Sequence, residues 1–210
     1  MVPLKETPEA KQRLRVPSEL RTALALAFAA DAVTALLESR HVHEVVVVGG
    51  RGLAPALLAS PALHRVADVR GLNAAVEAGV RVARQRSGRG VLVLHADLPC
   101  LRAFEVDALL EQAPPDAASA LADADADGTT ALLLPPGVTL LPAFGPGSHT
   151  RHLAAGARPV TGRLASVRRD VDTVEHLEAA RLLGVGPHTA AVLASVPAPP
   201  PVMESCTARP

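Results

Sequence analysis

The sequence predicts an α/β fold: a mostly parallel, doubly wound central sheet with helices on both faces and a small antiparallel insertion. Three observations point there. Val45-Val46-Val47-Val48 and Val91-Leu92-Val93-Leu94 are unbroken aliphatic runs, and strands without polar alternation belong to sheets covered on both faces. Stretches with helical patterning separate these runs, and strand–helix alternation is the mark of a parallel sheet joined by crossovers. One run ends in Gly49-Gly50-Arg51-Gly52, and the other stops at Asp97-Leu98-Pro99, where Pro99 cannot continue a ladder.

In chain order, Val2-Pro3-Leu4 reads as a very short first strand, followed by a loop that carries Lys5, Lys11, Arg13 and Arg15. Pro17-Ser18 opens a long helix to about residue 39, with Ser18 as its N-cap. After the Val45 run come a short helical piece at 53–59 and an edge-like third strand at 66–69. Gly71-Leu72-Asn73 begins a helix to about residue 85, and Ser87-Gly88-Arg89-Gly90 turns the chain into the Val91 run. A helix over 104–112 ends before Pro114-Pro115. Strands follow at 119–122 and 131–134 around an acidic loop, and residues 138–142 are expected to pair antiparallel with what precedes them, giving an insertion near 131–143. Phe144-Gly145-Pro146-Gly147-Ser148 is a tight loop feeding a short helix to about residue 155. Asp170-Val171-Asp172-Thr173 leads into a helix to Leu183, which Gly184 ends; a last helix covers 186–195. The expectation is one domain over residues 1–195 and a disordered Pro-rich tail over 196–210.

Composition narrows the function. The 210 residues are 49% hydrophobic and 20% charged, which is a globular composition. Aromatics make up 1%, without Trp or Tyr, so base stacking on aromatic platforms is nearly excluded. The formal net charge of zero speaks against a nucleic-acid partner. Two cysteines, Cys100 and Cys206, the latter in the Pro-rich tail, suggest no disulfide and a reducing cytoplasm. The first residues hold charge and no apolar leader core. The apolar stretch 24–37 is broken by Asp31 and reads as too short to span a bilayer, so no membrane is expected.

An acid at the carboxyl end of a buried strand lies at the rim where open α/β sheets bind ligands. Asp97 is such an acid, and Asp170 and Asp172 follow another β-prone segment. Carboxylates converging on one point repel unless a cation neutralises them, and Mg²⁺ favours few carboxylates together with water and phosphate oxygens. Asp172 or Thr173 also has the spacing of a helix cap. Gly49-Gly50-Arg51-Gly52 lacks the Gly-Lys-Ser/Thr ending of a P-loop and reads better as a turn. The eight histidines show no zinc spacing, and no G-x-S-x-G motif supports a covalent hydrolase.

Together these motifs give the chain its resemblance to the guanylyltransferases of deazaflavin coenzyme (coenzyme F-420) biosynthesis, nucleotidyltransferases with a Rossmann-like, GT-A-type fold. The resembling pieces, in the family's order, are Val2-Pro3-Leu4-Lys5 with Ala10-Lys11-Gln12-Arg13-Leu14; Gly71-Leu72-Asn73-Ala74-Ala75; Ala96-Asp97-Leu98-Pro99; Gly128-Thr129-Thr130; Phe144-Gly145-Pro146-Gly147-Ser148 with Arg151-His152; Asp170-Val171-Asp172-Thr173; and Leu183-Gly184-Val185-Gly186-Pro187-His188-Thr189. The resemblance implies transfer of GMP from GTP to phosphoenolpyruvate or 2-phospho-lactate, with loss of pyrophosphate. It implies Mg²⁺ on Asp97, Asp170 and Asp172, with Asp97, Asp170 and Lys5 as the catalytic set. It implies the phosphorylated acid on Thr130, Gly145 and Ser148, and the nucleotide on Lys5, Lys11, Arg13 and Asn73. GTP and the small acid are the implied partners; a homodimer and hand-over of an unstable product to the next enzyme stay open.

The departures from the family pattern are local. Gly128-Thr129-Thr130 looks like a contracted Gly-Thr-Gly-Thr loop, which leaves Thr129 and Thr130 as alternatives for the acid contact. His95 stands where a small residue is common, and Gly49-Gly50 replaces a Thr-Asp-like end. Two other readings compete: a related nucleotidyltransferase acting on a molybdenum cofactor or a sugar phosphate, and a non-catalytic nucleotide-binding paralogue.

Overall fold

The structure is a computed structural model and describes residues 1–4, 11 and 13–196. Lys5, and all but Val196 of the expected Pro-rich tail, lie outside these residues. Among the described residues seven strands form one layer. The first three, β1 (Val2–Leu4), β2 (Val45–Gly49) and β3 (Leu63–Val66), pair in parallel in the order β1-β2-β3. The other four, β4 (Val91–Leu94), β5 (Ser119–Ala122), β6 (Thr129–Leu134) and β7 (Arg158–Pro159), run in the order β4-β6-β5-β7. The two groups join between β1 and β4: the Leu94 N–H donates to Met1 O at 3.0 Å, and the Met1 nitrogen donates to Leu92 O. These two bonds on either side of Val93 have the parallel pattern. The continuous order is therefore β3-β2-β1-β4-β6-β5-β7, with β6 alone reversed.

The all-buried burial of β2, β5 and β6 has a direct cause in their neighbours. One face is covered by α1 (Ser18–Glu38) and α4 (Ala103–Gln112), which share a core with Leu94, Leu121, Ala131 and Leu133. The other face is covered by α3 (Leu72–Ser87), whose Ala75 and Val76 pack with Val46, Val48, Val93 and Leu132. A third cluster, Leu14, Leu24, Phe28, Cys100, Val171, Leu177 and Ala180, ties α1 to α7 (Val174–Leu183). The smaller helices are α2 (Pro55–Leu58), α5 (Ser148–Ala154) and α6 (Ala165–Arg168), and α8 (Pro187–Ala194) lies along α1.

Several expectations are corrected. The antiparallel element is β6 itself, set between β4 and β5, and residues 138–142 form no strand. Prolines 135, 136 and 142 remove ladder donors there, and the Val138 N–H turns back to Pro135 O at 3.1 Å. The third strand is 63–66 instead of 66–69. Its register with β2 ends at Val48↔Val66, while β2 itself runs on to Gly49, φ +90, opposite Leu4 of β1. A side chain at Gly49 would collide with Leu4 O, so that glycine serves the close approach of β2 to β1. Ser18 is the first helical residue; Pro17 holds the cap position and no side chain caps the helix. α1 is longer than the apolar stretch suggested: its 21 residues are long and apolar enough, by length and composition, to cross a membrane. Much of it is instead buried in this fold, and Asp31 accepts the His188 and Thr189 N–H groups at 2.9 Å each, capping α8. Two short elements, β7 and α6, carry no sequence signal strong enough to expect them.

Candidate active site

In parallel strands the carboxyl ends share one rim. Here that rim holds the ends of β1, β2 and β4, together with the start of the reversed β6. Asp97 stands three residues beyond β4. Its carbonyl accepts the Val171 N–H at 3.0 Å, which pins the Asp170-Val171-Asp172 segment beside it. Thr173 then caps α7, its Oγ1 accepting the His176 N–H at 3.3 Å.

The Lys11 ammonium lies between two of the acids. It donates to Asp97 Oδ2 and, at 2.5 Å, to Asp172 Oδ1. The side chains of Lys11 and Asp97 are 12% and 19% exposed, while Asp172 is 43% exposed. Burial works to raise the Asp97 carboxyl, but Lys11, and then His95, outweigh it and hold it below the ordinary carboxylate range. Burial likewise works to lower Lys11, and Asp97 and Asp172 more than offset it, so the ammonium is held above its ordinary range. Among the described residues Asp170 has no ion-pair partner. Burial first, and then the charges of Asp97 and Asp172, push its carboxyl up to about 7.

That shift sets a pH dependence. The folded state holds a proton on Asp170 that the unfolded chain releases near pH 4, so the penalty grows as pH rises from about 4 to about 7 and is full above that. Asp170→Asn is therefore expected to melt higher than the wild type at pH 8, by roughly 3–8 °C, with the gap closing towards pH 4. Thermal melts across that range in metal-free buffer check it; a gap that is constant with pH contradicts the assignment.

Thr129 and Thr130 resolve into different roles. Thr129 Oγ1 lies 2.9 Å from His152 Nδ1, and His152 Nε2 accepts the Ala143 N–H at 3.0 Å. Accepting at Nε2 fixes the proton on Nδ1, which then donates to Thr129. Burial, with Arg151 nearby, lowers this imidazole to about 4, so it stays neutral. Thr130 Oγ1 is buried and has no hydrogen-bond partner. Asp97 Oδ1 is in the same condition. Buried polar atoms without partners are uncommon in folded proteins, and a water, an ion or a ligand is the usual explanation.

Gly145 and Ser148 lie in the loop that enters α5. Gly145 has φ +123, a conformation that favours glycine, and accepts the Ser148 N–H at 3.0 Å. Asn73 does not face the rim as a free amide. Its Oδ1 accepts the Phe144 N–H at 2.8 Å and its Nδ2 donates to Phe144 O at 3.3 Å, so it clamps this loop to α3. Arg151 adds a second clamp, donating to Ala143 O at 2.8 Å and Pro146 O at 2.6 Å. Arg13 is exposed and is not drawn into the acidic cluster, whereas Lys11 is. Arg51 is exposed as well. Cys100 is buried, donates to Ala180 O at 3.2 Å, and burial raises its thiol to about 11, which makes it a packing residue. Among the described residues no three His, Cys, Asp or Glu side chains form a ready-made metal cage.

The clamps of Asn73, His152 and Arg151 were not read from the sequence as such, since nothing local distinguishes an amide or imidazole that binds a loop from one that binds a ligand.

Comparison with known proteins bears on the fold and the family. The MobA-like NTP transferase domain matches residues 26–171. A phosphoenolpyruvate guanylyltransferase of Streptomyces avermitilis is 47% identical over 207 residues, covering 96% of each chain. Its namesake from Thermomonospora curvata is 45% identical over 98% of this chain and 92% of that one. Among solved structures, a putative nucleotide-diphospho-sugar transferase from Desulfovibrio desulfuricans aligns over 92% of both chains with a TM-score of 0.66 at 16% identity. A 4-diphosphocytidyl-2C-methyl-D-erythritol synthase aligns over 87% of this chain and 96% of that one, with a TM-score of 0.57 at 19% identity. The two structures speak for the fold alone, and the close relatives speak for more: the chain belongs to the MobA-like NTP transferase family, in its group of phosphoenolpyruvate guanylyltransferases.

Proposed function

We propose that this chain transfers GMP from GTP to phosphoenolpyruvate, releasing pyrophosphate, in a Mg²⁺-dependent reaction at the Asp97 rim. The relatives' names support the acceptor and the nucleotide. The observation that carries the site is one ammonium shared by Asp97 and Asp172, with Asp170 near enough for their charges to help push it up to about 7. The residues fit a divalent cation. Negative charge exceeds positive there, and Asp97 Oδ1 is a buried anionic oxygen without a partner. Asp97, Asp170 and Asp172 would hold Mg²⁺, with water and phosphate oxygens completing its ligands. Bound there, the ion would neutralise charge on the phosphates being exchanged.

The chain's own residues then do three things. Lys11, with Lys5, places positive charge against the triphosphate. Thr130, Gly145 and Ser148 hold the phosphorylated acid, with Asn73 acting on that loop through Phe144. The rim aligns the acceptor with the α-phosphate. An oxygen of the acceptor's phosphate bonds to the α-phosphorus, the bond to the bridging oxygen breaks, and pyrophosphate leaves with that electron pair. The attacking oxygen is already anionic, so no general base is needed, and positioning with charge neutralisation supplies the rate. The setting is coenzyme F-420 biosynthesis in the cytoplasm, where an unstable product favours direct transfer to the next enzyme.

Incubating the protein with each nucleoside triphosphate, Mg²⁺ and each candidate acid, while following pyrophosphate, tests this. Release is expected only with GTP and phosphoenolpyruvate, and its loss on chelation with EDTA tests the metal. Turnover with 2-phospho-lactate instead corrects the acceptor. Turnover with CTP or a sugar phosphate overturns the reading, as does nucleotide binding without turnover.

A further inference from the structure

We propose that His95 is a further acceptor-binding residue: its Nε2–H donates to an anionic oxygen of the phosphorylated acid, beside the Thr130 hydroxyl. The inference rests on the function proposed above and adds a residue to it. β4 and β6 pair with Leu94 opposite Ala131, so the next step of the register sets His95 opposite Thr130, and the His95 N–H donates to Thr130 O at 3.1 Å. Residues directly opposite each other in an antiparallel pair project from the same face. Both end in a buried polar atom with no partner, Nε2 in His95 and Oγ1 in Thr130. Two such atoms on one face of the rim suit a ligand with acceptor oxygens, and Asp97 of the same rim lies two residues on.

The ring is held for this task. Phe144 lies against it, centroids 5.1 Å apart and tilted by 45°, and Phe144 itself is fixed through both main-chain groups by Asn73. On its other side Phe144 meets His152 edge-on at 4.9 Å. The second nitrogen of His95, Nδ1, is 3.6 Å from Asp97 Oδ1, beyond hydrogen-bond reach, so that carboxylate does not fix a proton on Nδ1. Nε2 meets no hydrogen-bond partner among the described residues, so a hydrogen carried there is available to a ligand. His152 is the contrast: the same residue type, also packed on Phe144, has both nitrogens engaged by Thr129 and Ala143, and it is a structural residue.

Three variants test the inference: His95→Ala, His95→Gln and His95→Asn. Each is assayed with the acid varied at saturating GTP and with GTP varied at saturating acid, alongside a thermal melt. His95→Ala is expected to raise the acid's KM by about ten- to a hundredfold, with the KM for GTP and the melting temperature little changed. His95→Gln should recover most of the loss, because its amide N–H reaches the position of Nε2, and His95→Asn should not. Pyruvate and inorganic phosphate as competitive inhibitors identify the oxygen: inhibition by the one that mimics the held group weakens in His95→Ala. An unchanged KM for the acid, an equal rise for GTP, rescue by Asn instead of Gln, or undiminished inhibition by both mimics overturns the proposal. If the wild type does not turn over phosphoenolpyruvate, the function itself fails; if it does and His95→Ala keeps the acid's KM, this inference fails alone.

Discussion

Asp97→Asn should reduce turnover by at least about a thousandfold while leaving the fold intact. The proposed metal loses the ligand whose Oδ1 is buried and unpartnered, and an amide cannot supply the missing charge. Stability should change little because two effects oppose each other. Lys11 loses one of its two carboxylates, which destabilises. Asp170 loses the neighbour whose charge helps to raise it, which relieves repulsion. The main-chain bond from Val171 to the carbonyl of residue 97 does not depend on the side chain and should persist. Pyrophosphate release and a thermal melt, on the same preparation, check both halves. Activity within tenfold of wild type would remove Asp97 from the metal site.

Lys11→Met should be damaging in a different way. It keeps an unbranched stem but removes the ammonium shared by Asp97 and Asp172. Removing one partner of a buried ion pair costs about 3 kcal/mol or more. The exposed Asp172 adds little to that cost because solvent screens it, so a loss of about 3–4 kcal/mol is expected, nearly all through Asp97. Turnover should drop by about a hundredfold or more. Millimolar Mg²⁺ should restore part of the lost stability and little of the activity, since the cation replaces the charge between the acids but not the contact to the triphosphate. Melting curves of variant and wild type with and without Mg²⁺ measure this. A variant that Mg²⁺ does not stabilise more than the wild type argues against a shared place for ammonium and metal.

How far these residues were legible differs from one to the next. The aliphatic runs at Val45 and Val91 announced buried strands because no polar residue interrupts them, and Asp97 stood out because it ends one. The reversed direction of β6 was not legible. An aliphatic run such as Ala131-Leu132-Leu133-Leu134 is equally at home in either direction, and direction is set by the hairpin before it, where Asp123 accepts the Asp127 and Gly128 N–H groups. Thr129 could not be separated from Thr130 because the choice depends on His152, 23 positions from Thr129. Asn73 could not be told from a ligand contact, and its amide binds the loop carrying Gly145 through Phe144. Ser18 failed as a cap because Pro17 already turns the chain, with φ −50 and ψ 146, before the first helical residue. Side-chain type is written in the sequence; the partner that uses up a polar atom is not.

The bond from Val171 N–H to Asp97 O has a consequence for how such a rim can vary over time. The spacing of the acidic segments is fixed by peptide groups, which every substitution except proline retains at position 171. Side chains on either segment can therefore be exchanged while the scaffold keeps the same gauge. A rim built this way can acquire a new metal preference or a new acceptor one residue at a time, without first having to refold.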